Sequence, residues 1–147
     1  MVEWLEFPTT VDDESKLTTA QEIFDLGEKF LEMMFTFKHR GAIEKSGEVF
    51  SVFLQKLSRS CNIKLQKFPD SMLEKVLERI TTESLSQILR RSAGIPPAIL
   101  AILRAEPSKK HPVLLERAMT FLLDVVSDDS SKEDSKIHAL NIMRFIF

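Results

Sequence analysis

Arg90-Arg91-Ser92-Ala93-Gly94-Ile95-Pro96-Pro97-Ala98-Ile99-Leu100 joins two apolar segments through a corner with little conformational freedom. The preceding Ser84-Leu85-Ser86-Gln87-Ile88-Leu89 reads as a helix. Arg90 and Arg91 then fall in its last turn, where cations suit the negative end of the helix dipole. Gly94 is expected to take the left-handed conformation that closes such a helix. Ile95 and Pro96 each precede a proline, which disfavours the helical region. Pro97 is then a natural first residue for the helix Ala98-Ile99-Leu100-Ala101-Ile102-Leu103. The stretch predicts a stiff helix–turn–helix corner carrying two arginines.

Working outward, the helical pattern continues in both directions. A first long helix is predicted from near Thr18, with Gln21 as a capping-box partner. Ile23, Leu26, Phe30, Met33, Met34 and Phe37 recur on it at helical spacing, and Gly41 is expected to end it. A second helix, about Ala42 to Ser60, turns Ile43, Val49, Phe50, Phe53, Leu54 and Leu57 inward. Asn62 to Lys67 reads as a connector. A third helix, capped by Asp70, buries Met72, Leu73, Val76, Leu77 and Ile80. Beyond the corner, Pro107 and Pro112 bracket a loop with Lys109, Lys110 and His111. Helices follow from about Val113 to Val126 and from near Ser135 onward, separated by an acidic loop at about 127–135 that is expected to be mobile.

No segment alternates with period two, so the fold class is all-α with about seven helices. Residues 1–17, with Trp4 and Phe7, read as an irregular arm, and 18–147 as one helical-repeat domain. Paired helices of this length suit HEAT or armadillo stacks, whose repeats run about 40–47 residues, although no clean internal sequence repeat is visible. The apolar ending Met143-Arg144-Phe145-Ile146-Phe147 lacks the polar outer face of a terminal repeat. The segment therefore reads as cut from a longer solenoid, with Phe145, Ile146 or Phe147 exposing apolar surface.

Composition bounds the function. Of 147 residues, 44% are hydrophobic and 29% charged, which fits a packed globular domain. The lone Cys61 can form no internal disulfide, no apolar run approaches the roughly 20 residues of a membrane span, and Met1-Val2-Glu3-Trp4 opens no signal peptide. Cytoplasmic residence without a membrane is the expectation. The net charge of −2 hides an asymmetry: residues 1–36 are strongly acidic, whereas Ser84 to Arg117 carries Arg90, Arg91, Arg104, Lys109, Lys110 and Arg117 against Glu106 and Glu116.

Catalytic chemistry finds no foothold. The three histidines are far apart in sequence, and no pair has metal-ligand spacing. His138, on a helix, reads as a partly buried structural residue. Cys61 has Arg59 and Lys64 nearby but no partner base at a defined spacing. There is no glycine-rich phosphate loop, and a dinucleotide-type or methyl-donor fold would need strands alternating with helices. No catalytic residue, metal or cofactor is assigned. The candidates that remain are Arg90, Arg91, Arg104, Lys109 and Lys110 as RNA-phosphate contacts beside helix ends. For Arg90 and Arg91, helix C-capping with an intramolecular salt bridge stands as an equal reading.

The corner also resembles a known family. Arg90-Arg91-Ser92-Ala93-Gly94-Ile95-Pro96, with Ala98-Ile99-Leu100-Ala101 and Glu106-Pro107, is similar to the signature of the thyroid adenoma-associated protein (THADA) family. Lys38-His39-Arg40-Gly41-Ala42, Glu44 and Phe50 upstream, and His138-Ala139-Leu140-Asn141-Ile142 downstream, agree in order. That family commonly has an aromatic or aliphatic residue after the first proline, where this chain has Pro97. The resemblance implies a long helical-repeat protein. It also implies a non-catalytic partner of a tRNA 2′-O-methyltransferase acting on the anticodon loop, so that tRNA and the methyltransferase subunit are the implied partners. A purely protein-binding solenoid with no nucleic-acid contact is the alternative.

Overall fold

Seven helices pack around a shared core among the described residues of the computed structural model, which are 13–82, 94–107 and 110–147. The helices are α1 (Asp13–Thr36), α2 (Arg40–Ser58), α3 (Ile63–Gln66), α4 (Phe68–Thr82), α5 (Ile95–Arg104), α6 (Val113–Ser127) and α7 (Glu133–Ile146). The fold is all-α, and no strand occurs among the described residues. The segment expected to form the helix before the corner, with Arg90 and Arg91, lies outside them.

α4 and α5 form the middle of the structure. α1 and α2 pack on one side of this pair, and α6 and α7 on the other. The stripe predicted for α4 is buried in full: Met72, Leu73, Val76, Leu77 and Ile80 meet Ile95, Ile99 and Ile102 of α5 in one continuous core. A row of phenyl rings closes the α1–α2–α4 junction. Phe24 meets Phe68 edge-on at 4.7 Å, Phe68 meets Phe53 edge-on at 6.0 Å, and Phe30 stacks on Phe50 at 5.5 Å. Such pairs contribute about 0.5–1.5 kcal/mol each beyond their buried area. Gly27 makes room for this row, since a Cβ there would collide with the Phe68 ring.

Charge pairs tie the helices together in a regular way. Lys75 of α4 pairs with Glu28 of α1, and the Arg79 Nη1 donates to both carboxylate oxygens of Glu32 at 2.9 Å. Arg79 also lies 4.3 Å over the Phe35 ring. On the opposite side of α4, Asp70 and Glu74 both accept from Arg117 of α6. Lys75–Glu28, Arg79–Glu32 and Arg117–Asp70 each join residues 47 apart. This spacing equals the upper end of the helical-repeat range, about 40–47 residues.

Several local expectations are corrected. Gly94 is not left-handed: its φ is −81°, and it is the N-cap of α5. α5 starts at Ile95, two residues before Pro97, because the first amides of a helix have no intrahelical acceptor and prolines there forfeit nothing. Pro97 then lies against Gly47 of α2, whose Cβ position would stand 3.5 Å from the Pro97 Cβ. Gly41 does not end α1; the helix stops at Thr36, and Gly41 is the second residue of α2. His39 is extended, and its carbonyl accepts from Ile43 to start α2.

α1 begins at Asp13 rather than Thr18. The Asn62–Lys67 connector contains a helical turn capped by Asn62 Oδ1, which accepts from the Lys64 amide at 2.9 Å. Asp70 is no cap; it sits inside the first turn of α4, and its carboxylate holds Arg117. The connection expected at about 127–135 shortens to residues 128–132. There the Asp128 carboxylate accepts from the Ser130 amide and hydroxyl, which holds that carboxyl below its usual range. Leu26, Met33 and Val49, assigned to the core by periodicity, are exposed.

Gly94 serves close approach. A Cβ on it would penetrate the Met34 carbonyl oxygen and lie 2.9 Å from the carbonyl carbon, both in the α1 backbone. Replacing Gly94 with alanine is therefore expected to destabilise the fold by about 1–3 kcal/mol, the cost typical of overpacking. Gly41→Ala, whose Cβ meets nothing within 4 Å, is expected to leave stability unchanged or raise it by about 0.5 kcal/mol. Urea unfolding of the two variants side by side checks the contrast.

Candidate nucleic-acid interface

The proposed phosphate strip divides sharply on the structure. Arg90, Arg91 and Lys109 lie outside the described residues. Arg104, in the last turn of α5, and Lys110, in the following loop, are both exposed, and neither makes an ion pair among the described residues. Arg117, a neighbour of the strip in sequence, turns away from it to Asp70 and Glu74 and is structural.

The backbone that carries Arg104 and Lys110 is held at both ends. Gln55 of α2 reaches the Arg104 carbonyl with its side-chain amide at 3.5 Å. Two residues on, Glu106 Oε1 accepts from the Leu114 amide at 2.9 Å. α6 has Pro112 at its N-cap, whose side chain cannot accept a hydrogen bond. Glu106 supplies the missing acceptor from eight residues earlier. In the sequence, Glu106 reads as a charge and as part of a resemblance and not as a cap; an acceptor supplied from eight residues away leaves no short-range spacing to find.

Lys38, His39 and Arg40 form a second exposed basic element at the α1–α2 corner. Arg40 bonds Glu44 at 2.8 Å on the same helix face, and the first turn of α2 has no acidic residue. This corner follows Met34 and Phe35, on which Gly94 rests, and Gly47 farther along α2 lies against Pro97, so the α1–α2 hairpin and the start of α5 adjoin. Of the residues weighed for chemistry, His138 is buried and Cys61 is exposed. Among the described residues, no cluster of three or more His, Cys, Asp or Glu could hold a metal, and no helix is long and apolar enough to cross a membrane. Exposed cations such as Arg104 and Lys110 can bind phosphate or carboxylate.

The family model described as THADA/TRM732, DUF2428 matches residues 1–147. The chain belongs to that family. It is 38% identical over 134 residues to the mouse tRNA (32-2′-O)-methyltransferase regulator THADA, an alignment covering 88% of this chain and 7% of the relative. The dog protein of the same name is 35% identical, over 97% of this chain and 8% of its own length. A fission-yeast relative, the tRNA (32-2′-O)-methyltransferase regulator trm732, is 29% identical over 82% of this chain and 8% of its own. The chain thus spans less than a tenth of the length of these relatives. No solved structure matches it. The relatives are named as regulators of a methyltransferase, which agrees with the lack of catalytic spacing in the sequence.

Glu106→Ala is expected to lower stability by about 1 kcal/mol, the usual loss for a helix cap, by leaving the Leu114 amide without its acceptor. Glu106→Gln, which keeps an acceptor oxygen, is expected to recover most of that loss in the same denaturation measurement.

Proposed function

We propose that this chain is a non-catalytic helical scaffold segment of a tRNA 2′-O-methyltransferase regulator. It holds tRNA, the methyltransferase subunit, or both, while the partner methylates a ribose of the anticodon loop. The exposed cations Arg104 and Lys110, which make no ion pair among the described residues, carry this reading, and the names of the relatives give it its direction. Arg90, Arg91 and Lys109 extend the same strip in sequence. The 47-residue spacing of the ion pairs supports a stack of HEAT-like helical pairs as the scaffold.

A second reading draws on a different observation. Ile137, Leu140, Phe145 and Phe147 of α7 and its end are exposed, and exposed apolar side chains suit a protein partner with no nucleic acid. Salt separates the two. Phosphate contacts lose affinity steeply as salt rises, whereas apolar burial does not.

In the full-length protein, Arg90→Ala with Arg91→Ala is expected to weaken tRNA binding and flatten its salt dependence while the melting temperature holds. Arg104→Ala with Lys110→Ala should do the same, each lost contact removing about 0.7 from the log–log slope on a single-stranded region. Anisotropy titrations at several salt concentrations measure both. Wild-type slopes in either pair of variants, with clear destabilisation, assign those residues to structure and favour the protein-binding reading.

A further inference from the structure

Residues 49–69 carry Lys56, Arg59, Lys64 and Lys67 and no Asp or Glu. All four cations are exposed, and none makes an ion pair among the described residues. The acids that bound the stretch are already engaged: Glu48 pairs with Lys45 at 2.9 Å, and Asp70 holds Arg117. We propose that this corner, where α2 turns through α3 into α4, is a phosphate-binding face for the backbone of an RNA, with Arg104 on its border. The inference rests on the RNA-holding reading above and adds to it four cations that the strip around Arg104 and Lys110 does not include.

Folding brings Arg104 to the corner. Pro97 lies against Gly47, and the Arg104 carbonyl accepts from Gln55, so α5 runs parallel to α2 and both helices end on the same side. Glu106, the acid nearest Arg104 in sequence, turns Oε1 to the Leu114 amide. The backbone beneath the cations is held. Gln66 donates its side-chain amide to the Ser60 carbonyl at 2.6 Å, Asn62 caps α3, and Leu65 and Phe68 are fully buried. Helix stability does not account for the placement. The α2 dipole favours Lys56 and Arg59 at its negative end, but Lys67 stands at the positive start of α4, where a cation is disfavoured. Composition selects the occupant. Protein interfaces set an apolar core inside a polar rim and are depleted in lysine. Between Lys56 and Lys67 the exposed large apolar side chain is Ile63, and three of the four cations are lysines. Lysine and arginine, among polar Ser60, Asn62 and Gln66, are the side chains that phosphate oxygens recognise.

Anisotropy titrations of the full-length protein with a labelled RNA stem-loop, at several salt concentrations, test the face. Lys56→Gln, Arg59→Gln, Lys64→Gln and Lys67→Gln together should weaken binding about a hundredfold near 0.1 M salt and remove roughly 3 from the log–log slope, with circular dichroism and melting temperature unchanged. Lys64→Gln with Lys67→Gln alone should remove about half of that slope, which keeps the test sound if the fourfold variant folds poorly. Lys56→Arg, Lys64→Arg and Lys67→Arg together should hold the wild-type slope. Lys29→Gln with Lys132→Gln, exposed cations away from the corner, should leave affinity and slope alone. Wild-type affinity and slope in the fourfold and twofold corner variants overturn the inference. If Arg104→Ala with Lys110→Ala still weakens binding in that case, the reading above stands without it. Absence of salt-dependent RNA binding in the wild-type protein overturns both. Corner variants that lose binding to polyglutamate and keep binding to RNA assign the face to an acidic protein partner instead, which also overturns the inference.

Discussion

Contact between the Gly94 position and the Met34 carbonyl sets the distance at which α5 can approach α1. No side chain separates the two backbones, and the neighbouring contacts inherit that spacing. Pro97 reaches Gly47 of α2, and Ile95, Ala98 and Ile99 sink completely into the core. The prolines at the start of α5 stiffen the entry without removing a needed hydrogen bond. Close backbone approach also leaves the end of α1 fixed, and Lys38, His39 and Arg40 emerge from that fixed end. Gly94, Pro97 and Gly47 are in this sense a packing motif first, next to the corner that carries Lys38, His39 and Arg40.

Two groups of cations differ in what surrounds them. Lys75, Arg79 and Arg117 face carboxylates on adjacent helices, and Arg79 also covers a phenyl ring. All are partly exposed, so each pair adds little to stability, on the order of 0–1 kcal/mol, and more to the register between helices. Arg104 and Lys110 point to solvent from backbone that is anchored by Gln55 and Glu106. The separation explains how a chain with a net charge of −2 can still present a local positive surface.

Helices were legible because their apolar spacing and polar interruptions are local properties. The α4 stripe was read residue for residue. Leu26, Met33 and Val49 misled because the apolar arc of α1 and α2 is wider than the face their neighbours cover; periodicity reports a stripe, not which part of it finds a partner. Gly94 was singled out for its freedom of φ, whereas its role depends on a carbonyl sixty residues away, which no local rule contains. The 47-residue separation of the ion pairs stayed hidden because the paired residues differ in kind. For the candidate interface, Arg104 and Lys110 were legible as charges, and Arg117 was separated from them only by Asp70 and Glu74 on another helix.

The three pairs at constant separation run in one direction. Acids on α1 answer bases on α4, and acids on α4 answer a base on α6, so each later helix contributes the cation. An interface of this kind joins unlike faces, front to back. It has the logic of a heterologous contact, which propagates along a line and is not closed by a two-fold axis. Turning one helix layer to meet its own copy would set carboxylate against carboxylate. The arrangement therefore carries an arrow: it specifies which layer comes before which, independently of the loops that connect them.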